Sequence, residues 1–145
     1  MMVKKKAPGK PYRLIDHTAD LGILVFGDTG KALYENAARA MFELITDSPL
    51  GVKISEEVRI EGKDRPDLMV NWLRELLYFW TGKERLVAAV EIRTLSETGL
   101  FAVVGTDPFD PGRHQIRNEL KAVTYHQIRV DRTDDGWESQ VIFDV

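Results

Sequence analysis

Acidic side chains near both ends of this chain could together bind a divalent cation. The segment Asp16-His17-Thr18-Ala19-Asp20 carries two carboxylates, and the side chain of Asp144 and the carboxylate of Val145 close the printed sequence. Carboxylates are hard oxygen ligands, which calcium and magnesium prefer. If the two ends of the chain meet, we expect Asp16, Asp144 and Val145 to share one cation, with backbone carbonyls and water completing the site.

Taken alone, each acid has a simpler explanation. Asp16 could cap a turn, Asp28 could cap a helix, and Asp144 could be a solvated residue at the end of a strand. For an isolated aspartate the simpler explanation is favoured. The ligand type leaves the metal open, because calcium, magnesium and manganese all accept hard oxygen donors. Paired acids could also hydrolyse a bond, so a metal-dependent hydrolase is a further hypothesis.

The histidines and one lysine are the other candidates for chemistry. His17 lies between the two acids of its segment and could orient a ligand or contact a partner. His126 follows Tyr125 in a predicted strand, where a structural role is the simpler interpretation. Lys121 opens that strand, and a lysine there ordinarily extends its charge into water. It would matter if it lay near the acids, where it could orient a carboxylate or meet a phosphate.

Composition narrows the class of protein. The chain has 145 residues, of which 43% are hydrophobic and 30% charged, which is typical of one globular domain. The net charge of -3 gives no general attraction to nucleic acid, and the absence of cysteine excludes disulfides and thiol chemistry. The composition favours a cytoplasmic protein. Residues 1–11 are predicted to be a flexible basic tail, and residues 12–145 a single domain.

Hydrophobic spacing predicts two helices. The first carries apolar residues at helical intervals from Leu33 to Leu44, with Asp28 or Thr29 as the candidate cap. The second runs from Pro66 to Trp80, and its broad apolar stripe predicts deep burial.

Most of the remaining chain reads as strands. Apolar or alternating runs predict strands near residues 12–15, 21–26, 52–60, 86–95, 100–104, 120–130 and 137–145, with a long loop over 105–118. The order predicts an α+β fold in which two helices pack on one face of a mostly antiparallel sheet. Because each helix follows a strand, a duplicated β-α unit is possible.

Several segments together resemble the archease family. The matching pieces, in chain order, are Tyr12 to Asp20, Gly27-Asp28-Thr29, Gly105 with Asp110 and His114, Leu120 to His126, and Asp144-Val145. They extend over nearly the whole chain. Thr106 departs from the pattern, because the family commonly has an acid after the glycine.

The resemblance implies an accessory factor of tRNA splicing and RNA repair. Archeases assist RtcB-type RNA ligases by promoting guanylylation and repeated turnover, and are not themselves catalysts. Carried over to this chain, the resemblance implies calcium ligation by Asp16, Asp144 and Val145. It further implies that Asp28 and Lys121 are needed to stimulate the ligase. His17 and Asp20 match the motif and are candidates for contacting the metal ligands and holding them in position.

The resemblance also leaves a second function open. Archease-like proteins are associated with chaperone-like modulation of a tRNA cytosine-5 methyltransferase. In the ligase role, RNA would be contacted indirectly, through the ligase. The oligomeric state cannot be read from the sequence.

Overall fold

The computed structural model describes residues 10–17 and 20–145, with the backbone alone described at Asp16 and His17. This range forms eight strands and two helices. In chain order they are β1 (Tyr12–His17), β2 (Asp20–Gly27), α1 (Gly30–Ile45), β3 (Ile54–Glu61), α2 (Arg65–Thr81), β4 (Arg85–Leu95), β5 (Gly99–Pro108), β6 (Ala122–Val123), β7 (Arg129–Thr133) and β8 (Gly136–Asp144).

The strands form two antiparallel sheets. The larger sheet has the order β1-β2-β8-β6, and β7 also pairs with β8; the smaller has the order β3-β5-β4. The predicted α+β class with mostly antiparallel strands is therefore confirmed. The prediction of one sheet was wrong, because β3, β4 and β5 pair only with one another in the described part of the chain.

The two helices contact both sheets and so fill the space between them. α1 packs against β2 and β4, while α2 packs against β4, β6 and β7. Trp72, Leu73 and Met41 are fully buried in this layer. The indole N–H of Trp72 donates to the Tyr34 carbonyl at 2.9 Å, which satisfies the buried polar atom and ties the helices together. Burial on two sides explains the broad apolar stripe of α2.

The two strand-to-helix connections are built alike, 35 residues apart. A Cβ at Gly27 would lie 2.4 Å from the Leu33 nitrogen, and one at Gly62 would lie 2.6 Å from the Leu68 nitrogen. Only glycine permits this close packing of strand on helix.

The same offset of 35 residues recurs in the polar contacts. Thr29 and Asp64 cap the helices by accepting from the N–H three residues on. The side chains of Asn36 and Asn71 each donate at 2.8 Å to the strand residue ten positions earlier. These matching contacts support the predicted β-α duplication.

Two strand predictions needed correction. The predicted strand 120–130 is divided by a turn into the short β6 and β7, because Gln127 adopts a positive φ of 53° that no strand accepts. His126 consequently lies in an exposed turn. In addition, β5 continues to Pro108, so Asp107 belongs to a strand rather than to the predicted loop.

Most of the predicted tail lies outside the described residues. Of residues 1–11, only Lys10 and Pro11 lie within the described range. The Pro11 carbonyl accepts from the Phe26 N–H at 2.7 Å and so continues the pairing of β1 with β2. The tail and its boundary stay a prediction.

Candidate functional site

The register of the larger sheet places two acids directly opposite each other. β2 and β8 run antiparallel, with Asp20 paired to Asp144 at the end of both strands. Directly paired residues share a face of the sheet, with their Cβ atoms about 5 Å apart. Asp144 is exposed and Asp20 is half-buried. The first and last parts of the chain therefore meet here, with one carboxylate from each.

The structure pairs the acids differently from the prediction. Asp16 pairs with Leu21 and His17 with Asp20, so the backbone row that contains Asp144 passes through Asp20 and His17. The backbone of Asp16 lies in the adjacent row of paired residues, with Leu21 and Phe143. The side chains of Asp16 and His17 lie outside the described residues, so their ligand and supporting roles stay predictions. Asp20, which was given only a supporting role, is the acid that the register places beside Asp144.

Lys121 lies beside the same pair. Its backbone N–H donates to the Asp144 carbonyl at 2.8 Å, and Ala122 continues as the partner of Asp144 in β6. The lysine side chain is exposed. Val145 follows Asp144 directly and is 46% exposed. One end of the sheet thus combines two paired acids, a basic side chain and the predicted carboxylate ligand.

Arg74, which the sequence analysis did not single out, supports this end of the sheet. Its Nε donates to the Val123 carbonyl at 3.1 Å, and its guanidinium covers the ring of Tyr125 at 4.7 Å. The Tyr125 hydroxyl donates to Asp67 at 2.6 Å. This hydrogen bond lowers the pKa of the Asp67 carboxyl and raises that of Tyr125. A half-exposed tyrosine is thereby held on α2, close to the strand that carries Lys121.

Asp28 does not belong to this group. It follows the other end of β2, about 26 Å away from Asp20 for a strand of eight residues. It adjoins the β7–β8 turn, where a Cβ at Gly136 would lie 3.2 Å from the Asp28 Cα. The cap of α1 is Thr29, whose hydroxyl accepts from the Ala32 N–H at 3.1 Å. Asp28 and Lys121 are therefore at opposite ends of the larger sheet.

The described donors fit part of a divalent-cation site. Asp20 and Asp144 offer hard carboxylate oxygens at the same place, which is the ligand type that calcium and magnesium prefer. Among the described side chains, no three histidines or acids cluster closely enough to hold a metal. A complete site needs further ligands, for which Asp16 and Val145 stay the predicted candidates.

The long loop turns out to be fastened by a buried carboxylate. Asp107 is fully buried and accepts from the Gly51 N–H at 2.9 Å and from Arg113 at 3.0 Å. The His114 Nε2 lies 3.3 Å from it. The His114 Nδ1 accepts from the Asp110 N–H at 3.0 Å, so its proton belongs on Nε2, toward Asp107. These contacts indicate that Asp110 and His114 of the matching pattern shape the loop.

This network should make the fold sensitive to acid. The hydrogen bonds from Arg113, with the one from Gly51, lower the pKa of Asp107 from 3.8 to about 2. Because the pKa of Asp107 is lower in the folded state than in the unfolded chain, the ionised carboxylate stabilises the fold at pH values above about 4. This stabilisation, about 2 kcal/mol, is lost as the pH falls from about 4 to about 2. Denaturant unfolding at several pH values across this range measures the slope of the free energy of unfolding against pH. The Asp107→Asn variant should show a shallower slope; an unchanged slope would contradict this assignment.

No helix of the described range is long and apolar enough to cross a bilayer.

Comparisons with known proteins agree with one another. Residues 12–145 match the model of the archease protein family (MTH1598/TM1083). The archease of Methanosarcina acetivorans is 36% identical over 142 residues, which cover 94% of this chain and 97% of that protein. The archease of Methanopyrus kandleri is 37% identical over 140 residues, with coverages of 93% and 99%.

Two solved structures are also similar. Protein 1598 of Methanobacterium thermoautotrophicum superposes with a TM-score of 0.77 at 28% identity, over 93% of this chain and 99% of that one. A Thermotoga maritima protein, described as an archease and possible chaperone, gives a TM-score of 0.61 at 20% identity, over 90% and 94%. At that identity the second likeness concerns the fold.

Proposed function

The chain belongs to the archease family, and on that premise we propose that it is a non-catalytic cofactor of an RtcB-type RNA ligase in tRNA splicing and RNA repair. In this role it promotes guanylylation and repeated turnover of the ligase in the cytoplasm. RNA is contacted through the ligase.

The observation that carries the proposal is the pairing of Asp20 with Asp144 beside Lys121. Their charges are concentrated at one end of the sheet, where strands end and the side chains can reach a partner's site. We propose that Asp144 holds a calcium ion there, together with the carboxylate of Val145 and either Asp20, which the register places opposite Asp144, or Asp16, which the resemblance to archeases implies. Magnesium and manganese satisfy the same donors. A bound cation supplies a positive charge that attracts phosphate oxygens and carboxylates of the partner.

The side chains have distinct tasks in this proposal. The two acids bind and position the cation, and His17 orients them. Lys121 adds a positive charge at the rim, which can bind a phosphate of the ligase-bound nucleotide or orient a carboxylate. Tyr125 and Arg74 keep the neighbouring backbone in place.

A ligation assay with purified components tests the proposal. A ligase of this type, given RNA with a 2′,3′-cyclic phosphate and a 5′-hydroxyl end, should turn over many more times when a substoichiometric amount of this protein is present. The protein alone should produce no ligated RNA. Unchanged ligase turnover at every ratio of the two proteins would refute the proposal.

The same assay separates the two ends of the sheet. Lys121→Met should weaken stimulation about tenfold or more through the lost charge. Asp28→Asn has the same expected effect only if the partner also contacts the far end. The control Lys53→Met removes an exposed lysine outside both regions and should leave stimulation unchanged. If Lys121→Met stimulates like the unaltered protein, Lys121 has no part in activation.

A chaperone-like function is the second candidate, since the Thermotoga maritima protein of similar fold is described as a possible chaperone. In that case the protein should suppress aggregation of a tRNA cytosine-5 methyltransferase and leave ligation unaffected. A metal-dependent hydrolase, the third hypothesis, should cleave a phosphoester without any partner.

A further inference from the structure

A cleft remote from the acid pair has the features of a small-molecule site. Its volume is about 430 Å³, within the usual range for ligand pockets. It lies between the start of β1, the second half of α1 and the first half of β4, and the loop before β6 closes it through Arg117. Nothing in the proposed contact with a ligase uses this region.

Three cations surround the cleft. They are Lys10, Arg39 and Arg117, on three different parts of the chain. Within the described residues, Arg39 has no hydrogen bond or ion pair. The Oδ2 atom of Asp47 lies 3.9 Å from the Nη1 atom of Arg117, and both side chains are more than half exposed, so this ion pair is weak. Both guanidinium groups are therefore available to a ligand.

The remaining acid of the cleft is already engaged. Glu43 accepts a short hydrogen bond from the Tyr12 hydroxyl. Burial and this bond raise the pKa of Tyr12, although Arg117 and Arg39 act in the opposite direction. Tyr12 is therefore neutral at physiological pH, and both arginines lie close enough to its hydroxyl to influence it. With Asp47 and Glu43 counted, the cleft keeps a surplus of one positive charge in a chain whose net charge is -3.

Part of the lining of the cleft is apolar. Phe42 and Val87 are buried, and Leu50 lies beside them. Ala88 is the extra residue of a bulge in β4, because Val87 pairs with Thr106 while Ala89 pairs with the adjacent Gly105. Bulges redirect side chains and occur often beside functional sites. Here the bulge places a small side chain in the lining, which leaves room for a flat group.

We propose that this cleft binds a phosphomonoester attached to a flat organic group of about nucleoside size. The arginines match the phosphate oxygens in charge and fork geometry, and the apolar part of the lining, with Phe42, Leu50 and Val87, contacts the organic part. A free mononucleotide and a phosphorylated nucleotide at an RNA end present this same chemistry.

Titration followed by NMR tests the site. Phenyl phosphate and inorganic phosphate should each bind the full chain saturably and shift the Ala88 amide signal. Arg39→Gln and Arg117→Gln should each weaken both ligands about tenfold. Ala88→Leu should weaken phenyl phosphate by a similar factor and leave inorganic phosphate unchanged, because the larger side chain fills only the apolar part.

The matched control is Arg93→Gln, on β4 but ion-paired with Glu91 outside the cleft. It should bind both ligands like the unaltered chain, and all variants should melt at the same temperature without ligand. No saturable binding of phenyl phosphate, or an equal loss in Arg93→Gln, overturns the site. Adenosine monophosphate compared with a short RNA carrying a terminal phosphate identifies the source: the tighter binder is the one the cleft serves.

Discussion

Asp144→Asn should abolish calcium-dependent stabilisation and lower stimulation of an RNA ligase by at least about tenfold. The substitution keeps the shape of the side chain and removes the charge that the Asp20–Asp144 pair needs to hold a cation. Because Asp144 is exposed at the end of β8, the fold should survive. The shift of the melting temperature with added calcium and the turnover number of the ligase are the two measurements.

Glu91→Gln is the matched control. It makes the same change from carboxylate to amide on an exposed strand residue of the smaller sheet, where the ion pair with Arg93 has little energetic weight. It should retain both the calcium response and the stimulation. If Asp144→Asn keeps full stimulation under conditions where the unaltered chain stimulates, the proposed role of the acid pair is refuted.

Variants of Asp16 and Asp20 then decide between two ligand sets. The resemblance to archeases implies Asp16, whereas the register of β2 and β8 favours Asp20. Asp20→Asn should lose the calcium response as completely as Asp144→Asn does. A normal response in Asp20→Asn together with a lost response in Asp16→Asn would restore the original assignment.

Asp107→Asn should lower the free energy of unfolding by about 3 kcal/mol. Asp107 is fully buried, and its two oxygens accept from the Gly51 N–H and from Arg113, with His114 nearby. An amide can accept through one oxygen only, and its NH₂ group would face donors. Urea unfolding at neutral pH measures the change.

Asp47→Asn provides the comparison for this stability prediction. Asp47 is also an aspartate close to an arginine, but its side chain is 67% exposed and the two groups are 3.9 Å apart. Its loss should cost less than about 0.5 kcal/mol. A similarly small cost for Asp107→Asn would show that the loop does not depend on the buried carboxylate.

The local features of the fold could be predicted from the sequence. Both helices were identified because their apolar spacing, the cap at Thr29 and the proline at residue 66 act within a few residues of each other. The division into two sheets could not be predicted, because strand pairing depends on residues distant in sequence. The turn at Gln127 was missed because residues 120–130 contain no glycine, proline, asparagine or aspartate, which are the usual signals of a turn.

The candidate site shows the same limit. That the ends of the chain meet was expected, and the pairing of Asp20 with Asp144 shows that they do. Which acid lies opposite Asp144 depends on a register that no local pattern reveals. The burial of Asp107 could not be predicted, because residues 100, 102, 104 and 106 are buried in alternation and this pattern places Asp107 on the opposite face of the strand. Its burial depends on contacts with Gly51, Arg113 and His114, which approach it from outside the strand.

The position of β8 in the larger sheet has a consequence for biosynthesis. β2 is made early, yet the strand that covers its free side is β8, which starts at Gly136. Until β8 leaves the ribosome, β2 presents unpaired backbone groups along its length, and such an exposed edge invites pairing with other nascent chains. Translation must therefore run almost to residue 144 before the larger sheet can form completely. A truncated message would yield fragments that expose this strand edge and aggregate.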